Sequence, residues 1–392
     1  MKFKYRFLSL LSLLSLLSLC LLFILPAAAG MDNSSRYDNV YDNVYDKAYD
    51  KGYNNGNNNT TEENGEIITL NPSNYFNSNS SLNCISAGEV RGSGREISAN
   101  GLVENVTFLT NSSESELFPV WTADGISILY TVIGNESGNS SSYRMKADGS
   151  KIDRLGIGEG NLTNFSDVSP YGIELLFTKT INSKSGLYLA NLITGKVTPV
   201  TDDPNKSESW GAWCRLGDKI VYTQESEESP SQLWMVNRDG IGRFRLGTSG
   251  NIGIGKDWCP LGQKIIYSAR NFKEKDDLWV IDRDGAYQTQ LTDTPYSEWN
   301  PSFSPDGKKI VYVSDEYGKP DIWIRDINGN FRAKLTNNLG MIDSNPKWSP
   351  DGSKIVFTAN SFLNESEVNG SDIAVIKLTH EFSVNTEKEE VH

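Results

Sequence analysis

One pattern recurs six times along the chain at an almost constant period, and it restricts the fold more than any other feature. A turn glycine stands at Gly125, Gly172, Gly217, Gly262, Gly307 and Gly352, with spacings of 47, 45, 45, 45 and 45 residues. Four positions before it are Trp121, Val168, Trp213, Trp258, Phe303 and Trp348, and soon after it come β-branched and aromatic runs such as Ile310-Val311-Tyr312. Pro305-Asp306-Gly307 suits a tight turn, because proline pre-sets φ and glycine accepts a positive value. Each unit therefore reads as a hairpin, which alone would be marginal in water. A fixed period of this length with several short strands per unit marks a β-propeller, one repeat to each four-stranded blade.

A second turn recurs at Asp148-Gly149, Thr194-Gly195, Asp239-Gly240, Asp284-Gly285 and Asn328-Gly329. Strands such as Leu278-Trp279-Val280-Ile281 precede it, and outer strands such as Gln288–Thr292 and Arg332–Thr336 follow it. The blade is thus four strands, A to D. The last repeat has a third strand, Asp372–Ile376, but no second turn, whereas Val103–Thr110 looks like an outer strand without a blade. The expected fold is an all-β, six-bladed propeller of four-stranded antiparallel blades over residues 96–380. Its N-terminal outer strand, 103–110, completes the last blade and closes the ring. His380–Val384 is the competing candidate for that outer strand.

Lys2, Lys4 and Arg6, the apolar run Phe7–Leu25 and Ala27-Ala28-Ala29 have the layout of a signal peptide over residues 1–29, with an uncleaved anchor as the alternative. Residues 30–95 form a low-complexity tether with Tyr at 37, 41, 45, 49 and 53 among Asp and Asn, and 381–392 are an acidic tail. Loss of the three leader cations takes the net charge from −13 to −16, which repels phosphate backbones and argues against nucleic acid. Beyond the leader, Cys84, Cys214 and Cys259 permit one disulfide at most, with Cys214 and Cys259 at equivalent positions of neighbouring repeats. Sequons at Asn111, Asn135, Asn139, Asn164, Asn205, Asn364 and Asn369, with six others at 33, 58, 59, 79, 105 and 161, point to surface glycosylation. The expected location is extracellular or in the cell envelope, as a monomer.

Ser304-Pro-Asp-Gly-Lys308 and Ser349-Pro-Asp-Gly-Ser353, each followed by Lys-Ile-Val, then an Asp-Ile-Trp-like strand and a Leu-Thr ending, resemble the WD-like repeats of the TolB propeller family. The resemblance covers roughly residues 97–380 and weakens at Ser169-Pro-Tyr-Gly172 and Cys214-Arg-Leu-Gly217. It implies a non-catalytic, protein-binding propeller of the cell envelope. TolB's preceding α/β domain has no counterpart here, so its role in an outer-membrane complex is not implied.

Chemistry is expected on the variable B–C and D–A loops, since loops on a rigid scaffold carry function. Glu116, Glu208, Glu298 and Asp343 lie five positions before the first-strand aromatic. Sixfold geometry would aim them at the channel mouth, where a ring of oxygens suits Ca²⁺ or a basic peptide. Alternatively, each accepts N–H groups within its own blade. No other cofactor is expected. Tyr317 is a candidate for stacking on a sugar, which makes carbohydrate binding the second reading. Catalysis is disfavoured, since His380 and His392 are the only histidines and cannot build a triad or a histidine metal site. Gly250–Lys256 has phosphate-loop spacing, but Asp257 replaces the Mg²⁺-binding hydroxyl residue and Trp258 opens a strand. A glycan-cleaving enzyme with paired carboxylates is the remaining catalytic alternative.

Overall fold

The computed structural model describes residues 95–96 and 101–379, apart from 135–139, 158–162, 182–183, 202, 204, 227–228, 248–250, 272–273, 338–340 and 365–366. The leader, the tether, Cys84, the acidic tail, the sequons at Asn135 and Asn139, and the candidate strand 380–384 lie outside the described residues.

Every described element is a strand. In the fifth repeat Glu298–Phe303, Lys309–Ser314, Asp321–Asp326 and Phe331–Lys334 pair antiparallel in chain order, and Arg95–Glu96 adds a short parallel strand to the outer edge. The second, third and fourth repeats form separate four-stranded sheets of the same order. A single parallel bridge, Ser371 to Ser115, joins the sheets of the sixth and first repeats.

The repeated turn explains why its sequence is so legible. In Ser304–Lys309, the Ser304 hydroxyl donates to Asp306 Oδ1 at 2.6 Å and accepts from the Lys309 N–H at 2.8 Å, while Gly307 N donates to Ser304 O at 2.8 Å. Gly307 has φ +69°, the left-handed region that side chains disfavour. Thr122 and Ser349 make the same side-chain bonds. Cys214 and Cys259 occupy this position in their own turns and keep the backbone bonds. They are buried free thiols, so the conceivable bridge between them is not formed. Burial pushes the Cys214 thiol up to about 12, which leaves it inert. Because the Ser304 hydroxyl is fully buried, Ser304→Ala is expected to cost about 1–2 kcal/mol, read as a fall of roughly 3–6 °C in the melting temperature.

The Leu-Thr ending has an equally local cause. Leu291 N donates to Leu278 O at 2.8 Å, and Thr292 Oγ1 accepts from Leu278 N at 2.9 Å, so the threonine side chain takes over the ladder where the outer strand ends. Leu335 and Thr336 repeat this on Ile322. Leu109 and Thr110 do the same on Ile373, at 2.8 and 2.9 Å. Val103–Phe108 runs antiparallel to Glu367–Leu378, with Val106 opposite Ile376. The N-terminal strand thus occupies the outer position beside the last repeat.

Apolar side chains pack between successive sheets. Phe303, Ile310, Tyr312 and Trp323 meet Cys259, Ile266 and Leu278 of the preceding repeat, and Trp299 meets Trp348 and Ile355 of the following one. Trp121, Ile128 and Tyr130 of the first repeat pack on Val356, Ile373 and Val375 of the sixth. Full burial of such side chains contributes about 1.5–3 kcal/mol each, which makes these interfaces the main source of stability.

Candidate functional site

Each inner strand carries a bulge. Register slips by one residue between Leu117 and Val120, Phe165 and Asp167, Ser209 and Ala212, Trp299 and Ser302, and Ser344 and Lys347, with a larger slip between Ile252 and Lys256. Phe118, Trp210, Asn300 and Asn345 sit there at φ between 51° and 56°, and Gly255 at 86°. A left-handed backbone at Phe118 and Trp210 costs about 1–2 kcal/mol each. These bulges converge on a cavity of about 40 Å³ lined among others by Phe118, Ser166, Trp210, Lys256, Asn345 and Lys347. Just past the bulges, bonds run from sheet to sheet. Asp167 Oδ2 accepts from Trp213 N and Asp257 Oδ2 from Phe303 N, both at 2.9 Å, and Trp258 Nε1 donates to Ala212 O at 3.2 Å.

The four candidate carboxylates are not brought together. All are buried, and among the described residues no group of three or more acidic, histidine or cysteine side chains could hold a metal ion. Glu116 accepts from the hydroxyls of Ser112 at 2.6 Å and Thr110 at 3.4 Å. Glu208 accepts from Gln224 Nε2 at 3.1 Å and Arg243 at 3.4 Å. Glu298 faces Thr292, Arg325 and Asp277, and Asp343 meets the preceding repeat where its N–H donates to Pro320 O at 3.0 Å. The bulge explains the difference. Glu298 and Phe303 are five residues apart, but one extra residue between them makes the effective separation even, so both point into the space between sheets. Burial lifts the Glu116 and Glu298 carboxyls from 4.5 to about 7.

Tyr317 is 59% exposed in the B–C loop of the fifth repeat. Its ring stacks on Trp323 with centroids 5.9 Å apart, and Lys334 Nζ lies 5.0 Å from its centroid. Of the sequons, Asn111 and Asn205 are exposed on D–A connections, whereas Asn164 sits inside the strand Thr163–Val168 with its side-chain oxygen buried. Asn364 and Asn369 fall in the last two strands.

A further surface lies at the opposite end of the sheets. Asp124, Asp306 and Asp351 bond their own turns, but the second, third and fourth repeats put Tyr171, Leu216 and Leu261 at this position. Tyr171 and Leu216 are 47% and 46% exposed, and the Tyr171 hydroxyl donates to Leu216 O at 3.2 Å. Ile193 and Ile241, on the second turns of the second and third repeats, are 80% and 68% exposed. Arg238 grips Glu174 with two bonds of 2.7 Å and ties the second turn of the third repeat to the first turn of the second. The departures from Ser-Pro-Asp-Gly were legible in the sequence as a weakened motif. Their adjacency was the missing signal.

Residues 249–385 match the family described as PD40, TolB beta propeller domain. A crystal structure of TolB from Acinetobacter baumannii is 24% identical with a TM-score of 0.51, over 58% of this chain and 56% of its own. This chain therefore spans just over half of that protein. A structure assigned as TolB from Agrobacterium tumefaciens is 19% identical with a TM-score of 0.52, over 69% of this chain and 92% of its own. The gluconolactonase XC5397 from Xanthomonas campestris is 14% identical with a TM-score of 0.54, over 76% and 98%. At these identities the likenesses concern the fold. No curated protein matches the chain significantly.

Proposed function

We propose, from the premise that this chain is a TolB-like propeller, that it is a non-catalytic, exported binding module of the cell envelope or its exterior, and that its partner is a protein. The propeller is read as six blades closed by Val103–Phe108. The outer-strand bonds of Leu109 and Thr110 and the packing of the first repeat on the sixth support that count. Residues 1–29 are read as the export signal and 30–95 as the tether.

The observation that carries the protein-binding reading is the apolar surface of Tyr171, Leu216, Ile193 and Ile241 on two consecutive repeats. Exposed apolar side chains gathered at one end of the sheets on a chain this acidic are unfavourable in water unless another polypeptide covers them. No sequon falls within the A–B or C–D turns, so a glycan at Asn111 or Asn205 would sit at the other end of the sheets and leave this face bare.

The test is capture from envelope extracts by the full chain and by Tyr171→Asp/Leu216→Asp. Aspartate is the residue of three of the other turns, so the variant is expected to melt within about 2 °C of the parent while capture falls at least tenfold. Undiminished capture would remove the turn face from consideration. Silence in capture, beside glycan-array binding that Tyr317→Ala abolishes, would put carbohydrate recognition first.

A further inference from the structure

The only charged side chains lining the cavity between the inner-strand bulges are two lysines. Lys256 is 2% exposed, and its ammonium donates to Trp210 O at 2.8 Å, its one side-chain hydrogen bond among the described residues, which leaves two of its three donors for a ligand. Lys347, half-buried, has no side-chain hydrogen bond or ion pair among the described residues. Ser166, 7% exposed on the same wall, has a buried hydroxyl without a partner. Glu225 exerts an attraction on Lys256, whereas the other nearby carboxylates, Asp257 and Asp167, are engaged elsewhere. Asp257 bonds Phe303 N, Ser302 and Arg215, and Asp167 bonds Trp213 N.

Cations and an orphaned hydroxyl around a small cavity are arranged for something that accepts hydrogen bonds and carries negative charge. The rings of Phe118 and Trp210 pack edge to face with centroids 5.7 Å apart, which leaves no room between them for a bulky group. We infer that the channel neck is a binding site for a small oxyanion, a carboxylate or phosphate group, held between Lys256 and Lys347 with Ser166 as a third donor. The volume admits the charged group alone.

Binding is expected to carry a proton. Burial lowers Lys256 to about 7; the Lys347 charge lowers it further, while Glu225 opposes the shift. Arg215 stands near Asp167, which also feels Lys347. At pH 8.5 most Lys256 amines are neutral in the empty site, so anion binding must draw a proton from the buffer to form the ammonium; at pH 6 the ammonium is already formed. Affinity should therefore drop about tenfold or more from pH 6 to pH 8.5.

The probes are inorganic phosphate and acetate, titrated into the full chain by calorimetry at constant ionic strength with sodium chloride as the balancing salt. Saturable binding of at least one probe at pH 6 is expected. At pH 8.5 the heat should vary with the ionisation enthalpy of the buffer. Lys347→Met, partly exposed and thus safe for folding, should weaken binding at least tenfold; Lys256→Met should abolish the buffer dependence. A response to phosphate alone or acetate alone identifies which oxyanion the neck takes. Absence of saturable heat with both probes at pH 6, or equal affinity in Lys347→Met, would overturn the inference.

Discussion

A chain lacking residues 96–110 is expected to lose cooperative unfolding, or to melt more than about 10 °C below the parent, in thermal denaturation followed by circular dichroism. The deleted segment supplies the strand Val103–Phe108, the buried Leu102 and the Thr110 hydroxyl that accepts from Ile373 N. Val103 and Val106 pack against the cluster of Trp299, Trp348 and Phe357. Burial of these side chains together with the strand's hydrogen bonds is worth on the order of 5 kcal/mol, comparable with the whole net stability of many domains. A synthetic peptide of residues 96–110 added to the truncated chain should restore part of the transition. Unchanged stability after deletion would mean that His380–Val384 can fill the outer position.

Stability is also expected to fall as pH rises from 5 to 8.5, and Glu298→Gln to flatten much of that slope. Burial lifts the Glu298 carboxyl from 4.5 to about 7. Between those values the folded chain holds a proton that the unfolded chain has released, so raising the pH favours the unfolded state. The folded state has its full advantage below pH 4.5 and has lost it above pH 7, a span of about 3 kcal/mol. Glutamine resembles the protonated acid, so the variant should melt roughly 5–10 °C above the parent at pH 8.5 and close to it at pH 5. Glu116, also lifted to about 7, leaves a residual slope that the double variant Glu116→Gln/Glu298→Gln should reduce further. A steeper slope in Glu298→Gln would show that the charged carboxylate is needed as the counter-ion of Arg325.

The sequence spoke clearly where one residue's job is local. Ser304, Asp306 and Gly307 satisfy each other within six residues, so the sixth copy of the turn preserves the same letters and all six keep the glycine. Thr292 and Thr336 likewise announce the end of an outer strand, and Thr110 could be matched to them before any pairing was known. The candidate site was much less legible. Whether Glu298 faces a channel or a neighbouring sheet depends on a bulge of one residue, and nothing in Trp299-Asn-Pro-Ser302 states that count unambiguously. Lys256 was hidden for a similar reason. Its phosphate-loop look comes from glycines that serve a bulged strand, and its partner Lys347 stands two repeats away along the chain. The turn-face patch was written in the letters that break the motif, Tyr171, Leu216 and Leu261, which are read as decay until they are seen side by side.

The hydrogen bond between Thr110 and Asp372 spans 262 residues of chain, at 3.2 Å. Closing a loop of that length costs about 5 kcal/mol of chain entropy, and no partial structure that omits either end recovers it. During synthesis Val103–Phe108 must wait for Glu367–Leu378, so every nascent form that lacks the later strand displays an unpaired edge. Assembly of the paired sheet is therefore timed by Glu367–Leu378, and until that strand is made the sheets before it stand as an open fan.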